Sequence, residues 1–179
     1  MENLIETTGL CKRYEDFSLE GVNLTVPAGT IVGLIGENGA GKTTTLKTLL
    51  GMVQPTQGSA RLLGRAPGDP EALAQVGVVF EDAYFCETMC AEQIDKVMAR
   101  VYSNWDSSLF RDYCRRFELS GKQPLKEFSR GMHMKLSLAT ALAHRPRLLI
   151  LDEATSSIDT RTELLVQRGM DALMKGRTV

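Results

Sequence analysis

The sequence predicts an α/β fold, and three observations carry that expectation. An apolar run, Ile31 to Ile35, reads as a buried strand; the glycine-rich stretch Gly36-Glu37-Asn38-Gly39-Ala40-Gly41-Lys42-Thr43 follows it, and Thr44 to Leu50 reads as a helix. A second apolar run, Leu148-Leu149-Ile150-Leu151, ends in Asp152-Glu153. Strands buried on both faces read this way, which favours a parallel sheet. Between the two, from Glu87 to about Gly121, the pattern is helical. At 179 residues the chain can build one sizeable core and is short for two domains.

Taken in order, Leu4 to Leu10 and Phe17 to Val26 are expected as short strands joined by the polar turn Lys12 to Asp16. Val22 to Val26 alternates apolar and polar side chains, as a half-exposed strand does. Pro27-Ala28-Gly29 is a turn. The helix after Lys42 is expected to stop at Gly51, with Pro55 beyond it. Thr56 to Ser59 turns into a strand over Ala60 to Leu63, and Asp69 can cap a short helix through Gln75. Val76 to Phe80 is another β-rich run. Two helices follow, over Ala91 to Tyr102 and Asp106 to Phe117. In the second, Trp105, Leu109, Tyr113 and Phe117 recur every fourth residue and read as a packing stripe. Ser129 can cap a helix from Arg130 to His144, halted by Pro146. Thr160 and Glu163 fit a capping box for a last helix ending at Gly176.

Composition narrows the partners. A formal net charge of -1 gives no reason to expect nucleic acid through charge alone. The N-terminus has no apolar leader core, and no uncharged run reaches transmembrane length, so the expectation is a soluble, cytoplasmic chain. Cys86 and Cys90 lack a second closely spaced pair or a nearby histidine, and all four cysteines read as reduced thiols.

The chemistry concentrates in Gly36 to Thr44. G-x-x-x-x-G-K-T between a strand and a helix means a phosphate-binding loop. Its glycines let the backbone curl so that successive N–H groups point inward as an anion nest, and the helix start adds its positive dipole end. Lys42 can reach the β- and γ-phosphates, and the Thr43 hydroxyl can ligate Mg²⁺. The expected ligand is a nucleoside triphosphate. Asp152-Glu153 supplies a second half. Beyond the carboxyl end of its strand, Asp152 can hold Mg²⁺ and Glu153 is placed to polarise an attacking water.

With these residues in view, the chain resembles the ATP-binding subunits of ABC transporters over almost its whole length. Phe128-Ser129-Arg130-Gly131-Met132 stands where that family has its L-S-G-G-Q signature, shortly before Asp152-Glu153. Ser156-Ser157-Ile158-Asp159 resembles the loop after the catalytic glutamate, with Asp159 as its acidic residue. Tyr14 lies where the family stacks a ring on adenine, and Glu81 holds the position of the magnesium-sensing glutamine. The resemblance implies a P-loop NTPase (RecA-like) core with an N-terminal antiparallel β region and an inserted helical subdomain at 83–135, all in one domain. It also implies ATP and Mg²⁺ as cofactors. Two subunits, identical or different, would meet head to tail, each placing Ser129 and Gly131 on the nucleotide held by the other's Lys42. A transmembrane permease would read the dimer through Glu81 and the helical region, with this chain peripheral on the inner face of the membrane.

The departures are specific. Arg130 and Met132 replace glycine and glutamine, while Ser129 and Gly131 remain; Glu81 replaces glutamine and Ala154 a proline. The run Val101 to Asp106 and the R-G-M form of the signature resemble bacterial ABC-2-type exporters. His133 and His144 both precede Asp152, so neither can be the switch histidine that the family carries after its last helix; His144 is expected to cap or pack. The expectation is therefore a chain incomplete at its C-terminus, with weak or absent turnover. The alternative is a soluble ABC-type ATPase acting on ribosomes or nucleic acid, and no basic tract or tandem second cassette supports it. A GTP-binding switch would want N-K-x-D, and no asparagine here precedes a lysine.

Overall fold

A computed structural model describes residues 2–80 and 85–152. They form two compact units that divide between Leu73 and Ala74.

The first unit is built on an antiparallel sheet of order β2-β1-β3, with β1 (Asn3–Arg13) between β2 (Ser18–Pro27) and β3 (Gln57–Leu62). The register sets Ile5 opposite Val26 and Leu62, and Leu4, Ile5, Leu10, Leu19, Val26 and Leu62 are buried on it. The alternation read over Val22 to Val26 is present: Asn23 and Thr25 are exposed, and the apolar residues between them are covered. The ladder shifts near Gly9, whose φ is +54°, and side chains make up the missing bonds. Thr7 Oγ1 donates to the Val22 carbonyl (3.0 Å) and accepts the Leu24 N–H (2.8 Å), while Asn23 Oδ1 accepts the Gly9 N–H at 2.8 Å. The β1–β2 hairpin closes later than expected, with the Tyr14 N–H donating to the Phe17 carbonyl (2.8 Å).

Helix α1 (Lys42–Leu49) ends as the sequence indicated. Gly51, at φ +76°, donates to Thr48 O and Met52 to Lys47 O, the paired bonds of a Schellman close. The short α2 (Pro70–Leu73) is capped by Asp69 Oδ1, which accepts the Glu71 and Ala72 N–H groups at 2.9 and 3.0 Å.

One expectation fails. Residues 31–37 have no regular structure; Ile31 is 62% and Ile35 96% exposed, and Val32 and Leu34 are exposed too. A strand needs a ladder as well as an apolar sequence, and no described strand pairs with this segment.

In the second unit, β4 (Val76–Val79) and β5 (Leu148–Leu151) pair in parallel, Val76 with Leu148 through Val79 with Leu151. The parallel arrangement is the one that the wholly apolar run Leu148 to Leu151 favoured. Three helices accompany them: α3 (Ala91–Val101), α4 (Ser107–Arg116) and α5 (Arg130–Ala143). Helix α5 lies so close to β4 that a Cβ on Gly77 would stand 2.5 Å from the Ala141 carbonyl oxygen. The aromatic stripe packs as expected: Tyr113 and Phe117 are buried with centroids 6.2 Å apart, and Trp105 tilts against the buried Phe110 at 5.3 Å. His144, the C-cap of α5, is buried and stacks on Tyr102 (4.3 Å, 19° between planes), with Nε2 3.2 Å from the Val76 carbonyl. Its expected capping and packing role is what the fold gives it.

Among the described residues no helix is long and apolar enough to cross a membrane.

Candidate functional site: a phosphate loop and a signature helix

The glycine-rich loop is shaped by backbone freedom that only glycine supplies cheaply. Gly39 (φ +84°) and Gly41 (φ +92°) both adopt left-handed conformations. A turn across Glu37 to Ala40 closes with the Ala40 N–H donating to Glu37 O at 3.1 Å. Gly41, which has no side chain to cap with, then starts α1, and the first turn holds no acid, the kind of helix start that suits an anion. Lys42 is bent back over the loop, Nζ donating to the carbonyls of Gly36 (2.8 Å) and Glu37 (3.0 Å). Residues 31–40 are exposed, and Lys42, Thr43 and Thr44 are half-buried. Three consecutive threonines are an unusual start for a helix. Of these Thr45 is buried, and its Oγ1 donates to Gly41 O; the buried Thr48 Oγ1 further along likewise donates to Thr44 O.

Tyr14 belongs to the same unit and stands beside the loop. Its ring is 46% exposed and lies 6.2 Å from that of Phe17. Phe17 in turn backs the loop, since a Cβ on Gly41 would stand 3.1 Å from Phe17 Cζ and 2.6 Å from Leu19 Cδ1. The reading of the sequence missed Lys12, whose Nζ sits 5.3 Å from the Tyr14 centroid. Its signal was partial: residues i and i+2 of a strand share a face, and Lys12 lies in β1 while Tyr14 follows one residue past the strand's end.

The second unit carries Ser129 and Asp152, the residues expected to open the signature and to face the metal. Ser129 is the N-cap of α5, its Oγ accepting the Met132 N–H at 3.3 Å. Arg130 and the half-buried Gly131 and Met132 form the first turn, which holds no acid. The buried Phe128, its ring 5.6 Å from that of His133, holds the entry to the helix. Asp152 is 8% exposed and donates its N–H to Val79 O at 2.9 Å, extending the parallel ladder one step past β5. Because β4 and β5 run in parallel, their carboxyl ends share one edge, where α/β sheets gather ligands. Glu81, Glu153 and Asp159 lie outside the described residues.

A loop shaped by left-handed glycines, with its lysine bent back over it at a helix start, is the form of a phosphate-binding loop and marks a nucleotide-binding protein. Comparison with known proteins narrows the class. The chain matches the ABC transporter family over residues 19–156. It is 33% identical over 184 residues to the bacitracin transport ATP-binding protein BcrA of Bacillus licheniformis, covering 100% of this chain and 60% of that one. To the lantibiotic transport ATP-binding protein SrtF of Streptococcus pyogenes it is 35% identical over 143 residues, covering 79% and 62%. Among solved structures, an ATP-binding subunit of an ABC transporter superposes with a TM-score of 0.85 at 28% identity, covering 97% of this chain and 76% of that one. The chain belongs to the ABC transporter family, on the ATP-binding side. It spans about half the length of several relatives it matches, 48% and 53% in two of them.

Proposed function

We propose that this chain binds ATP and hydrolyses it as the nucleotide-binding part of an ABC exporter. The observation that carries the reading is the Lys42 ammonium held over the carbonyls of Gly36 and Glu37, at the start of a helix whose N-cap is Gly41. A triphosphate tail takes the place of those carbonyls as the partner of Nζ. Loop N–H groups from Gly36 to Thr44 cradle it, and the Tyr14 ring stacks on the base. Thr43 and Asp152 offer a hydroxyl and a carboxylate, the hard oxygen donors that magnesium takes, and Glu81 adds a third. Bound Mg²⁺ would offset phosphate charge, and Glu153 accepts the proton of the attacking water.

Two such chains meet head to tail, with Ser129, Arg130, Gly131 and Met132 of one on the nucleotide of the other, and Asp159 at their junction. The anion-binding physics at that helix start survives the R-and-M form of the signature, because Ser129 and Gly131 hold the contacting positions. Arg130 adds positive charge beside them. The union and separation of the pair drive a transmembrane permease at the inner face of the membrane. Export rests on the run Val101 to Asp106 and the R-G-M form of the signature, which resemble bacterial ABC-2-type exporters.

The test is Mg²⁺-dependent ATP binding by the unchanged chain and by Lys42→Ala. Removing a charge-assisted hydrogen bond worth about 1.5–3 kcal/mol is expected to weaken binding about 10- to 150-fold. Equal affinity in the two proteins would remove the phosphate loop from the reading. In the full-length protein Glu153→Gln is expected to retain ATP and accumulate dimers with very slow turnover, and unchanged hydrolysis there would remove Glu153 from the role of base.

A further inference from the structure

Cys86 and Cys90 stand at the two ends of a turn that the nucleotide chemistry does not use. Cys86 is exposed, and its carbonyl accepts the Met89 N–H at 2.9 Å, folding the chain back so that Cys90 arrives at the N-cap of α3. The Cys86 Sγ lies 3.2 Å from Thr88 Oγ1. Bonds from that hydroxyl and then from the Thr88 N–H draw its pKa below the ordinary thiol value. Cys90 is half-buried; its carbonyl accepts the Gln93 N–H at 3.0 Å, and Gln93 Oε1 accepts the Cys90 N–H at 3.0 Å. An exposed thiol facing hydrogen-bond donors, with a second thiol one turn away at a helix start, is the arrangement of a sensing and a resolving cysteine.

The other two thiols differ. Cys114 is buried, and burial, with Asp95 second, pushes it up to about 11. Cys11 is engaged on both sides, donating to the Gly9 carbonyl (3.3 Å) and accepting the Gly21 N–H (3.2 Å).

We propose that Cys86 is a site of reversible modification by a low-molecular-weight disulfide, with Cys90 as the resolving thiol. The Cys86 thiolate attacks one sulfur of the disulfide, forming a mixed disulfide and expelling one small thiolate. Cys90, as its thiolate, then attacks the Cys86 sulfur, forming the Cys86–Cys90 bond and expelling the second. Two electrons pass from the protein thiols to the small disulfide, and the two protons end on the released thiols. Closing that bond turns the Cys90 side chain toward Cys86 at the start of α3, where Cys90 also takes part in the cap through its N–H to Gln93 Oε1. It also strains the turn at Glu87 and Met89, whose carbonyls accept the Lys126 and Leu125 N–H groups at 2.9 Å on the way to Ser129.

The experiment treats the reduced chain with oxidised glutathione, quenches with acid and maps the thiols by mass spectrometry. The expected result is loss of two of the four free thiols as a Cys86–Cys90 disulfide, with Cys11 and Cys114 still reduced. Cys90→Ser keeps a good helix cap, so it folds, and it stalls with one glutathione on Cys86. Cys86→Ser takes up none. A glutathione adduct that persists on Cys86 in the unchanged chain removes Cys90 from the resolving role. Reaction at Cys114 as fast as at Cys86 removes the site.

Discussion

Arg145 Nη2 donates to Asp106 Oδ2 at 2.8 Å, tying the residue just past α5 to the cap of α4. The other oxygen of the same carboxylate accepts from the Ser108 N–H, the Leu109 N–H and the Ser108 hydroxyl, and the Asp106 N–H donates to Ala143 O. One side chain therefore starts one helix and fastens the end of another. Arg145, at φ +53°, holds a backbone conformation that few non-glycine residues adopt, in line with a position fixed by its surroundings.

The first prediction concerns acid stability. The Arg145 bond, with those from Leu109 and Ser108 behind it, holds the Asp106 carboxyl well below the usual carboxylate range. A folded value below the unfolded one, about 3.9, means the contribution is complete above that pH and is lost as pH falls further toward the folded value. Asp106→Asn lacks it at every pH. Thermal midpoints of the two proteins are expected to differ at pH 6 and to converge as pH drops below about 4. A constant gap across that range would contradict the linkage.

How far the sequence could be read follows from what each residue type commits to. Asp69, Asp106 and Ser129 were legible as starts of helices because a cap is a bond to a backbone N–H two or three residues away. Gly36 to Lys42 was legible for the same reason, since its left-handed glycines and back-bent lysine are local geometry. Ile31 to Ile35 was not, because strand formation depends on neighbours that are not written in the segment itself. Asp95 gave no signal either. It is an acid in a polar helical stretch, and only the packing of α3 and α4 turns it inward to the Trp105 indole and Arg111.

That buried carboxylate carries the second prediction. Asp95 is 7% exposed; it accepts the Trp105 Nε1–H at 2.8 Å and the Arg111 guanidinium at 3.1 Å. Arg111 is largely exposed, so the ion pair is screened and the indole bond matters more. Asp95→Ala strands the indole donor and is expected to cost about 1–3 kcal/mol. The chain has one tryptophan, so its emission reports this site alone and is expected to shift in the variant. An unchanged spectrum and an unchanged midpoint would contradict the assignment.

Gly77 sets a third expectation, on packing. A Cβ there would meet the Ala141 carbonyl oxygen at 2.5 Å, with Leu149 Cδ1 and Pro146 Cγ each at 3.1 Å. The first of these is backbone and cannot swing aside, so Gly77→Ala has to push β4 away from α5. Overpacking of this kind typically costs about 1–3 kcal/mol. Chemical denaturation will read it as a lower midpoint; a midpoint equal to that of the unchanged chain would mean the two elements are farther apart than described.

Gly41 joins structure to the proposed chemistry, and its substitution separates the two. At φ +92° an alanine is strained by about 1–2 kcal/mol, and its Cβ would meet Leu19 Cδ1 at 2.6 Å and Phe17 Cζ at 3.1 Å. Both neighbours are side-chain ends that can yield, so the first unit keeps its sheet while the start of α1 shifts. Phosphate recognition depends on that start, because the inward N–H groups and the Lys42 ammonium are placed by it. Gly41→Ala is therefore expected to lose more affinity for Mg²⁺-ATP than stability, measured by titration calorimetry beside thermal unfolding. Gly21→Ala is the control. It sits at φ +63° with nothing within 4 Å of the new Cβ, and it carries the same backbone strain away from the loop. If both variants bound ATP as the unchanged chain does, the geometry at Gly41 would have no part in holding the nucleotide.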